Sequence, residues 1–259
     1  MRLNVLPPST NDIEPDVLKM LWHYARGEFP TCATESFWPI AWRKFTHRGV
    51  QLLDSIRFPR KQRRYVFSEH FEFRIDHAFA QVVRFCAENP RDDGQTWLTP
   101  ELREGYLRLY RAGYAHSFEA WQHDRLVGGA LGVQIGGYIS VESMFRHVPN
   151  ASKAAYGRAL LHLRDRGFEW VDVNFVCQHM VNYGEQWVPQ WQFERELRRL
   201  LRQRPTITDD TPPAPLPLPL RIGLPALRAA EGVGRRLKQV GSALQRAAAQ
   251  VPRVARSGR

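Results

Sequence analysis

Cysteine is scarce in this chain of 259 residues, which contains only Cys32, Cys86 and Cys177. The three are widely separated, and none belongs to a C-x-x-C pair. This spacing excludes a dense disulfide framework and a cysteine-based zinc site, and it is typical of a protein in a reducing compartment. We therefore expect a cytoplasmic protein without a structural metal.

Long apolar runs are also missing. No stretch approaches the roughly 18 apolar residues of a membrane span, and the start M-R-L-N-V-L-P-P has no apolar core of signal-peptide length. The sequence thus predicts neither secretion nor integral membrane association. Gly128, Gly129 and Gly132 lie close together, but no G-K-[ST] follows them, which excludes a phosphate-binding P-loop.

Positive charge is concentrated at the C-terminal end. The formal net charge is +11, and the segment from Arg221 to Arg259 carries nine Lys and Arg against one acid, Glu231. The preceding part is only mildly basic, so its charge is a poor argument for RNA binding. The basic segment has apolar residues at helical spacing, which fits either a helix docking on RNA, anionic lipid or a partner, or a disordered tail.

Composition divides the chain into four predicted parts. Six prolines between Pro205 and Pro219 predict an extended linker. We predict an N-terminal lobe (residues 1–68), a catalytic domain (69–203), a Pro-rich linker (204–220) and a basic amphipathic or disordered tail (221–259).

A strand, a helix and a second strand are predicted between Gly137 and Asn174. Apolar residues recur at helical spacing between Ala155 and Leu163, and Gly167 ends that helix. The order predicts two parallel strands joined by a helical crossover. Two further strands precede this unit and form a meander with its first strand, and the order β-β-β-α-β predicts an α+β fold with a mixed sheet.

Both strands of this unit carry acids where a buried sheet disfavours them. Strict alternation places Tyr138, Ser140, Glu142 and Met144 on one face and Ile139, Val141, Ser143 and Phe145 on the other. In the second strand, the same period puts Asp172 and Asn174 together, facing outward. Asp172, Asn174 and Glu142 are therefore the candidate catalytic residues, and structural roles, a turn cap or an ion pair, are the alternative.

Several motifs resemble one family in order and spacing. They are T-W-L-T-P (Thr96 to Pro100), A-H-S-F-E-A-W (Ala115 to Trp121), L-V-G-G-A-L-G-V (Leu126 to Val133), V-E-S-M-F (Val141 to Phe145), A-S-K (Ala151 to Lys153) and D-V-N (Asp172 to Asn174), followed by His179 and Gly184. Over roughly residues 70 to 196, the chain resembles the bacterial leucyl/phenylalanyl-tRNA-protein transferases.

The resemblance implies a fold, a reaction and partners. The implied catalytic domain is acetyltransferase-like (GNAT-like), and the implied reaction moves leucine or phenylalanine from aminoacyl-tRNA to the N-terminal amine of proteins that begin with Arg or Lys. The product is marked for N-degron degradation. The donor ester is already activated, so no cofactor is expected; the implied protein is a monomer that holds the 3′ end of the tRNA.

The resemblance also implies substrate-binding residues. Trp97 would stack on the terminal adenosine, and Ala130, Ile139 and Val141, with Ser143 and Met144 of the same motif, would line the pocket for the donor side chain. Three departures bear on this reading. Thr31 stands where the family has a second stacking tryptophan, so Trp38 or Trp42 would have to replace it. Val141 replaces glycine, and Asn174 replaces glutamine.

These departures keep alternatives open. A related amine acyltransferase with another donor, and a non-catalytic paralogue that binds tRNA or degrons, both remain. The basic run Arg57 to Arg64 is either a contact for tRNA phosphates or a solvated surface. His116 and His179 are weaker site candidates that we expect to be structural.

Overall fold

A computed structural model of the chain describes residues 14–32, 40–88, 96–176 and 183–209. The chain divides into two units, Met1–Pro217 and Leu218–Arg259, and every described residue belongs to the first. The predicted tail and most of the predicted linker lie outside the described residues.

Fifteen helices and strands occur in the described part of the chain. In order they are α1 (Pro15–Ala25), β1 (Phe29–Cys32), β2 (Ile40–Arg43), β3 (His47–Leu52), α2 (Arg60–Val66), β4 (Glu72–Ile75), α3 (Phe79–Glu88), α4 (Pro100–Arg111), β5 (Ala115–Gln122), β6 (Arg125–Ile135), β7 (Tyr138–Arg146), α5 (Ala151–Asp165), β8 (Trp170–Asn174), β9 (Gln186–Pro189) and α6 (Gln190–Leu200).

A seven-stranded mixed sheet organises the fold. Its order is β4-β5-β6-β7-β8-β3-β9, and β7 and β8 are parallel whereas the other neighbouring strands are antiparallel. The predicted meander and the strand-helix-strand unit are confirmed as β5, β6, β7, α5 and β8. The chain thus has the mixed α/β architecture with a mixed sheet that the sequence predicts.

Residues from the predicted N-terminal lobe contribute to this sheet. β3 pairs with β8 on one side and with β9 on the other. Because β8 also pairs with β7, it has a neighbouring strand on both edges. β1 and β2 form a separate two-stranded sheet, and α1 packs on α4, where the Tyr24 and Tyr106 hydroxyls lie 3.1 Å apart.

A β-bulge in β7 changes which side chains share a face. Leu131 pairs with Ser143 and Gly132 with Val141, which leaves Glu142 as an extra residue between them. The predicted strict alternation is therefore wrong beyond this point, because the extra residue reverses it. Met144 packs with Ile139 and Val141, the residues from which alternation had separated it.

An apolar cluster lies where α5 covers the sheet. It includes Ile139, Val141, Leu160 and Val171, and it extends to Ile207, which is 1% exposed. The chain after α6 is fixed to α5, where the His162 ring nitrogen lies 2.8 Å from the Ile207 carbonyl oxygen and Arg166 donates to Thr206. This beginning of the predicted linker is packed on the domain, because Ile207 is an apolar anchor among prolines and polar residues.

None of the helices in the described ranges is long and apolar enough to cross a bilayer.

Candidate active site

The strands β7 and β8 part at the centre of the sheet. Their register contains one pair, Ser140 with Asp172. Just beyond it, the Asn174 side-chain amide donates from Nδ2 to the Val141 carbonyl oxygen at 3.3 Å. A side-chain bond thus links the two strands at the point where backbone pairing ends.

Asp172 is held in a buried ion pair with Arg48 of β3. Arg48 Nε lies 2.8 Å from Asp172 Oδ1, and Arg48 Nη2 lies 2.6 Å from Oδ2. The Tyr138 hydroxyl donates to Oδ2 at 2.7 Å, and the Asn174 backbone N–H donates to Oδ1 at 2.9 Å. Asp172 is 2% exposed. The expected outward orientation of Asp172 and Asn174 is therefore wrong, because the side chains of Arg48 and Tyr138, with Phe193 of α6 packed on both, cover this face.

Aromatic rings enclose the Arg48 guanidinium. Its central carbon lies 4.3 Å from the Phe29 ring centroid and 5.0 Å from that of Phe193. Burial alone would lower the pKa of Arg48, but the adjacent Asp172 charge more than offsets this and raises the pKa above its ordinary value. The guanidinium therefore stays charged, and it compensates the buried Asp172 carboxylate.

Asn174 ends β8 in a left-handed conformation with φ of 59°. Asparagine adopts this region more readily than most residues. Its side chain is buried, Nδ2 is engaged by Val141, and Oδ1 has no hydrogen-bond partner among the described residues. Oδ1 is therefore an available acceptor located where the strands separate.

Glu142, the bulged residue of β7, lies next to a group of buried tyrosines. The Tyr106 hydroxyl donates to Glu142 Oε2 at 3.2 Å, while Oε1 is buried with no partner in the described part of the chain. Burial, together with the nearby Asp172 charge, raises the pKa of Glu142 to about 7. Burial also raises the pKa of Tyr24 and Tyr106, so these hydroxyls remain neutral donors near neutral pH.

The predicted adenosine-stacking residues differ in position. Trp97 packs edge-on against Tyr106, with ring centroids 6.5 Å apart, which places it one side chain from Glu142. Thr31 pairs with Ala41, whereas Trp42 pairs with Pro30, so Thr31 and Trp42 project to opposite faces of their hairpin. The Trp42 ring stacks on His23 at 4.3 Å. Trp42 is thus not placed to replace a tryptophan at position 31, and Trp38 lies outside the described residues.

The predicted donor-pocket residues only partly come together. Ala130, Ile139, Val141 and Met144 belong to the same apolar cluster under α5. Ser143 does not join them, because its side chain hydrogen-bonds to Cys86 of α3. The bulge at Glu142 accounts for this, because it puts Met144 in place of Ser143 on the face of Ile139 and Val141.

Other sequence candidates lie elsewhere. His116 Nδ1 lies 2.6 Å from an Asp76 carboxylate oxygen, consistent with the structural role expected of it; His179 is outside the described residues. Within the described ranges, no group of three or more His, Cys, Asp or Glu is arranged to bind a metal ion.

Sequence reasoning missed the residues that support Asp172 and Glu142. These are Arg48, Tyr24, Tyr106 and Tyr138. One signal was available, because an acid within the apolar run W-V-D-V needs a buried cation. It could not identify the partner among 37 Lys and Arg residues.

Comparisons with known proteins agree on one class of enzyme, the aminoacyltransferases that use charged tRNA. The family model described as leucyl/phenylalanyl-tRNA protein transferase matches residues 50–198. A relative named leucyl/phenylalanyl-tRNA–protein transferase from Anaeromyxobacter sp. (strain K) is 40% identical over 197 residues, which cover 76% of this chain and 82% of the relative. One of the same name from Nitratidesulfovibrio vulgaris (strain DP4) is 39% identical over 220 residues, covering 78% and 93%.

The chain belongs to the leucyl/phenylalanyl-tRNA protein transferase family. Among solved structures, it is similar to the structure of L-PGS from Bacillus licheniformis over 61% of this chain and 66% of that chain. The identity is 10% and the TM-score 0.35, a similarity too low to bear on function.

Proposed function

We propose that this protein transfers leucine or phenylalanine from aminoacyl-tRNA to the N-terminal amine of proteins that begin with Arg or Lys. Family membership supports the donor and the reaction class. The observation that carries the proposal is the buried, unpartnered Asn174 Oδ1 at the point where β7 and β8 part. The product would be marked for N-degron degradation.

The reaction forms an amide and breaks an ester. The neutral amine attacks the carbonyl carbon of the aminoacyl ester, the bond to the ribose 3′ oxygen breaks, and that oxygen gains the proton that the amine loses. The ester is already activated, so the protein has to orient the amine and stabilise charge. The proposed reaction needs no metal or organic cofactor.

Asn174 and Glu142 are the proposed substrate contacts. Asn174 Oδ1 accepts a hydrogen bond from the attacking amine, which directs the lone pair of the nitrogen away from Oδ1. Glu142, with Oε1 unpartnered, binds a cationic group of the acceptor when it is ionised. This assignment supports a preference for acceptors that begin with Arg or Lys.

Asp172 acts through Asn174 in this proposal. Its two oxygens already accept hydrogen bonds from Arg48, Tyr138 and the Asn174 backbone, so it is a positioning residue and not a base. Arg48 in turn fixes Asp172. The ion pair thereby holds the left-handed turn that presents the Asn174 amide.

The remaining parts of the proposal follow the family. The parting of two parallel strands supports a GNAT-like catalytic domain, in which Ala130, Ile139, Val141 and Met144 border the donor side chain and Trp97 stacks on the terminal adenosine. We further propose a cytoplasmic monomer with a lobe on the catalytic domain that is shorter than the predicted 1–68, because β3 (His47–Leu52) is a strand of the central sheet.

A transfer assay with paired acceptors tests the proposal. The protein is incubated with labelled leucyl-tRNA and a peptide that begins with Arg, and the control peptide is identical except for an N-terminal Glu. Label is expected on the Arg peptide alone. Binding of charged tRNA without transfer to either peptide would support the non-catalytic paralogue and overturn the proposal.

A further inference from the structure

An aromatic cleft opens beside the candidate site. Phe45, Thr46, His47, Phe175 and Trp187 line a cavity of about 480 Å³. Phe45 and Phe175 lie 4.9 Å apart at an interplanar angle of 66° and are each 39% exposed, while Trp187 is 48% exposed. Soluble proteins rarely leave several large aromatic side chains together in water without a ligand to cover them.

The cleft lies next to the end of β8, where Asn174 is located. Gly49 of β3 pairs with Asn174 on one side and with Trp187 on the other, so Trp187 is two strands from Asn174 at one register. Neighbouring strands lie about 4.8 Å apart, which places the two backbones about 10 Å apart. Phe175 directly follows Asn174 in the chain. One extended substrate bound at Asn174 can therefore reach this cleft.

Glycine at position 49 lets another part of the backbone approach β3 closely. A Cβ there would lie 2.8 Å from the backbone of both Phe175 and Val176. The chain after Asn174 can therefore cross closely over β3, and this crossing places Phe175 between Asn174 and the Trp187 side of the cleft.

The chemistry of the lining favours a nucleobase over a basic peptide. None of the five lining residues carries a carboxylate, so the cleft offers no partner for an Arg or Lys side chain. The segment that leads into it, W-R-K-F-T-H-R, contains no acid. Of its three cations, Arg48 is buried against Asp172 and Lys44 pairs with Glu194, so within the described residues Arg43 is the one left to meet a phosphate. Aromatic rings beside cations bind single-stranded RNA, because bases stack on the rings and cations attract the phosphates.

We propose that this aromatic cleft, formed by Phe45, His47, Phe175 and Trp187, binds a base of the single-stranded 3′ end of the donor RNA. The inference rests on the proposed function, in which a charged tRNA reacts at Asn174, beside this surface. Trp187 is the principal stacking residue. The cleft supplies aromatic surface that Thr31 and Trp42 do not.

Direct binding of RNA separates this inference from the transfer reaction. Fluorescein-labelled 5′-ACCA-3′ RNA is titrated by anisotropy, at one fixed salt concentration, against the full chain and its variants. Trp187→Leu keeps an apolar side chain but removes the ring, and Trp187→Phe keeps a ring. Trp191→Leu is the matched control, because Trp191 is 64% exposed on α6 and does not line the cleft.

Loss of one stacked base is expected to weaken binding roughly 5- to 150-fold. Trp187→Leu should show this loss, Trp187→Phe should stay within a few-fold of the unmodified chain, and Trp191→Leu should match it. With charged tRNA, Trp187→Leu should raise KM for tRNA but not for the acceptor peptide. If Trp187→Leu has a lower melting temperature than the unmodified chain, Phe45→Leu, which removes another ring of the lining, is used in the same titration to test for loss of RNA binding.

Three results would overturn the inference. These are unchanged RNA binding in Trp187→Leu, equal weakening by Trp191→Leu, or a raised KM for the peptide alone, which would assign the cleft to the acceptor. If RNA binding depends on Trp187 but the chain transfers no amino acid, the proposed function is wrong and base binding at the cleft is supported.

Discussion

Arg48 and Asp172 form an ion pair that is closed to solvent, with Nη2 and Oδ2 2.6 Å apart and side-chain exposures of 0% and 1%. The two residues are 124 positions apart in the chain. Removing one partner of a buried pair leaves an uncompensated charge, which typically costs about 3–5 kcal/mol. The pair therefore couples the stability of the sheet to the geometry of Asn174.

Asp172→Asn is expected to lose both stability and activity. The free energy of unfolding should fall by about 3–5 kcal/mol, because Arg48 remains charged and buried. Transfer should fall roughly 100-fold or more, because the turn at Asn174 loses its anchor. Denaturant unfolding and the transfer assay measure the two effects.

Two controls separate pairing from general disruption. Arg48→Met combined with Asp172→Asn should be less destabilised than Asp172→Asn alone, without recovering transfer. Glu169→Gln removes the exposed ion pair with Arg199 and should change stability by about 1 kcal/mol or less. A stable, fully active Asp172→Asn variant would show that the ion pair is needed neither for stability nor for transfer.

The pKa of Glu142 predicts a pH dependence of stability. Its pKa is raised from 4.5 to about 7 in the folded protein, so between these values the folded state binds more protons than the unfolded state. Stability should therefore fall as pH rises from about 4.5 to 7, by up to about 1.4 kcal/mol per pH unit. Glu142→Gln should make the curve flatter and raise stability at pH 8.

Glu185 provides a comparison for this measurement. Burial also raises the pKa of Glu185 to about 7, so Glu185→Gln should independently make the stability curve flatter between the same pH values. Glu142→Gln should additionally raise KM for an Arg peptide, whereas Glu185→Gln should not. Identical pH curves for Glu142→Gln and the unmodified chain would show that Glu142 ionises normally.

Local patterns were sufficient to predict most of the central sheet. β5 to β8 and α5 are long or strongly patterned, and Thr99 caps α4, where it accepts from the Leu102 N–H as Thr-Pro predicts. The short strands β1, β2, β3 and β9 were not predicted; β3, for example, begins with the polar residues His47 and Arg48 and does not have a strand pattern of its own. Their pairing is set by distant partners.

The site was predicted by residue but not by geometry. Asp172, Asn174 and Glu142 do lie around one opening, but the sequence could not show that the Arg48 side chain covers Asp172. Nor could it show the bulge at Glu142, because a register shift depends on the partner strand. The same shift moved Ser143 away from Ile139 and Val141 and brought Met144 to their face.

Val141→Gly tests the donor pocket. Val141 is 6% exposed within the apolar cluster, and removing its side chain creates space beside Ile139 and Ala130. We expect phenylalanine transfer to rise relative to leucine transfer, since discrimination per methylene is roughly 10- to 200-fold. Competition between the two charged tRNAs measures the ratio.

Val133→Gly is the matched control for this change. Val133 is fully buried in β6 but lies outside that cluster, so its loss should destabilise the protein without changing the donor ratio. An unchanged ratio in Val141→Gly would mean that Val141 does not contact the donor.

Truncation tests the role of the basic C-terminal segment. Deletion after Asp209 should leave transfer to a short peptide intact and weaken retention on heparin, because +8 of the formal charge of +11 lies beyond Pro219. Deletion from residue 205 should also destabilise the domain, because it removes the buried Ile207. A large loss of transfer after the shorter deletion would place the segment in the catalytic unit.

Asn174→Gly tests the central assignment most directly. Glycine accepts the left-handed backbone at φ of 59°, so this variant removes the amide without adding strain, whereas Asn174→Ala adds roughly 1–2 kcal/mol of strain. The measurement is single-turnover transfer from labelled leucyl-tRNA to an Arg peptide. The account predicts a loss of about 100-fold in Asn174→Gly with unchanged tRNA binding; transfer at the rate of the unmodified chain would contradict it.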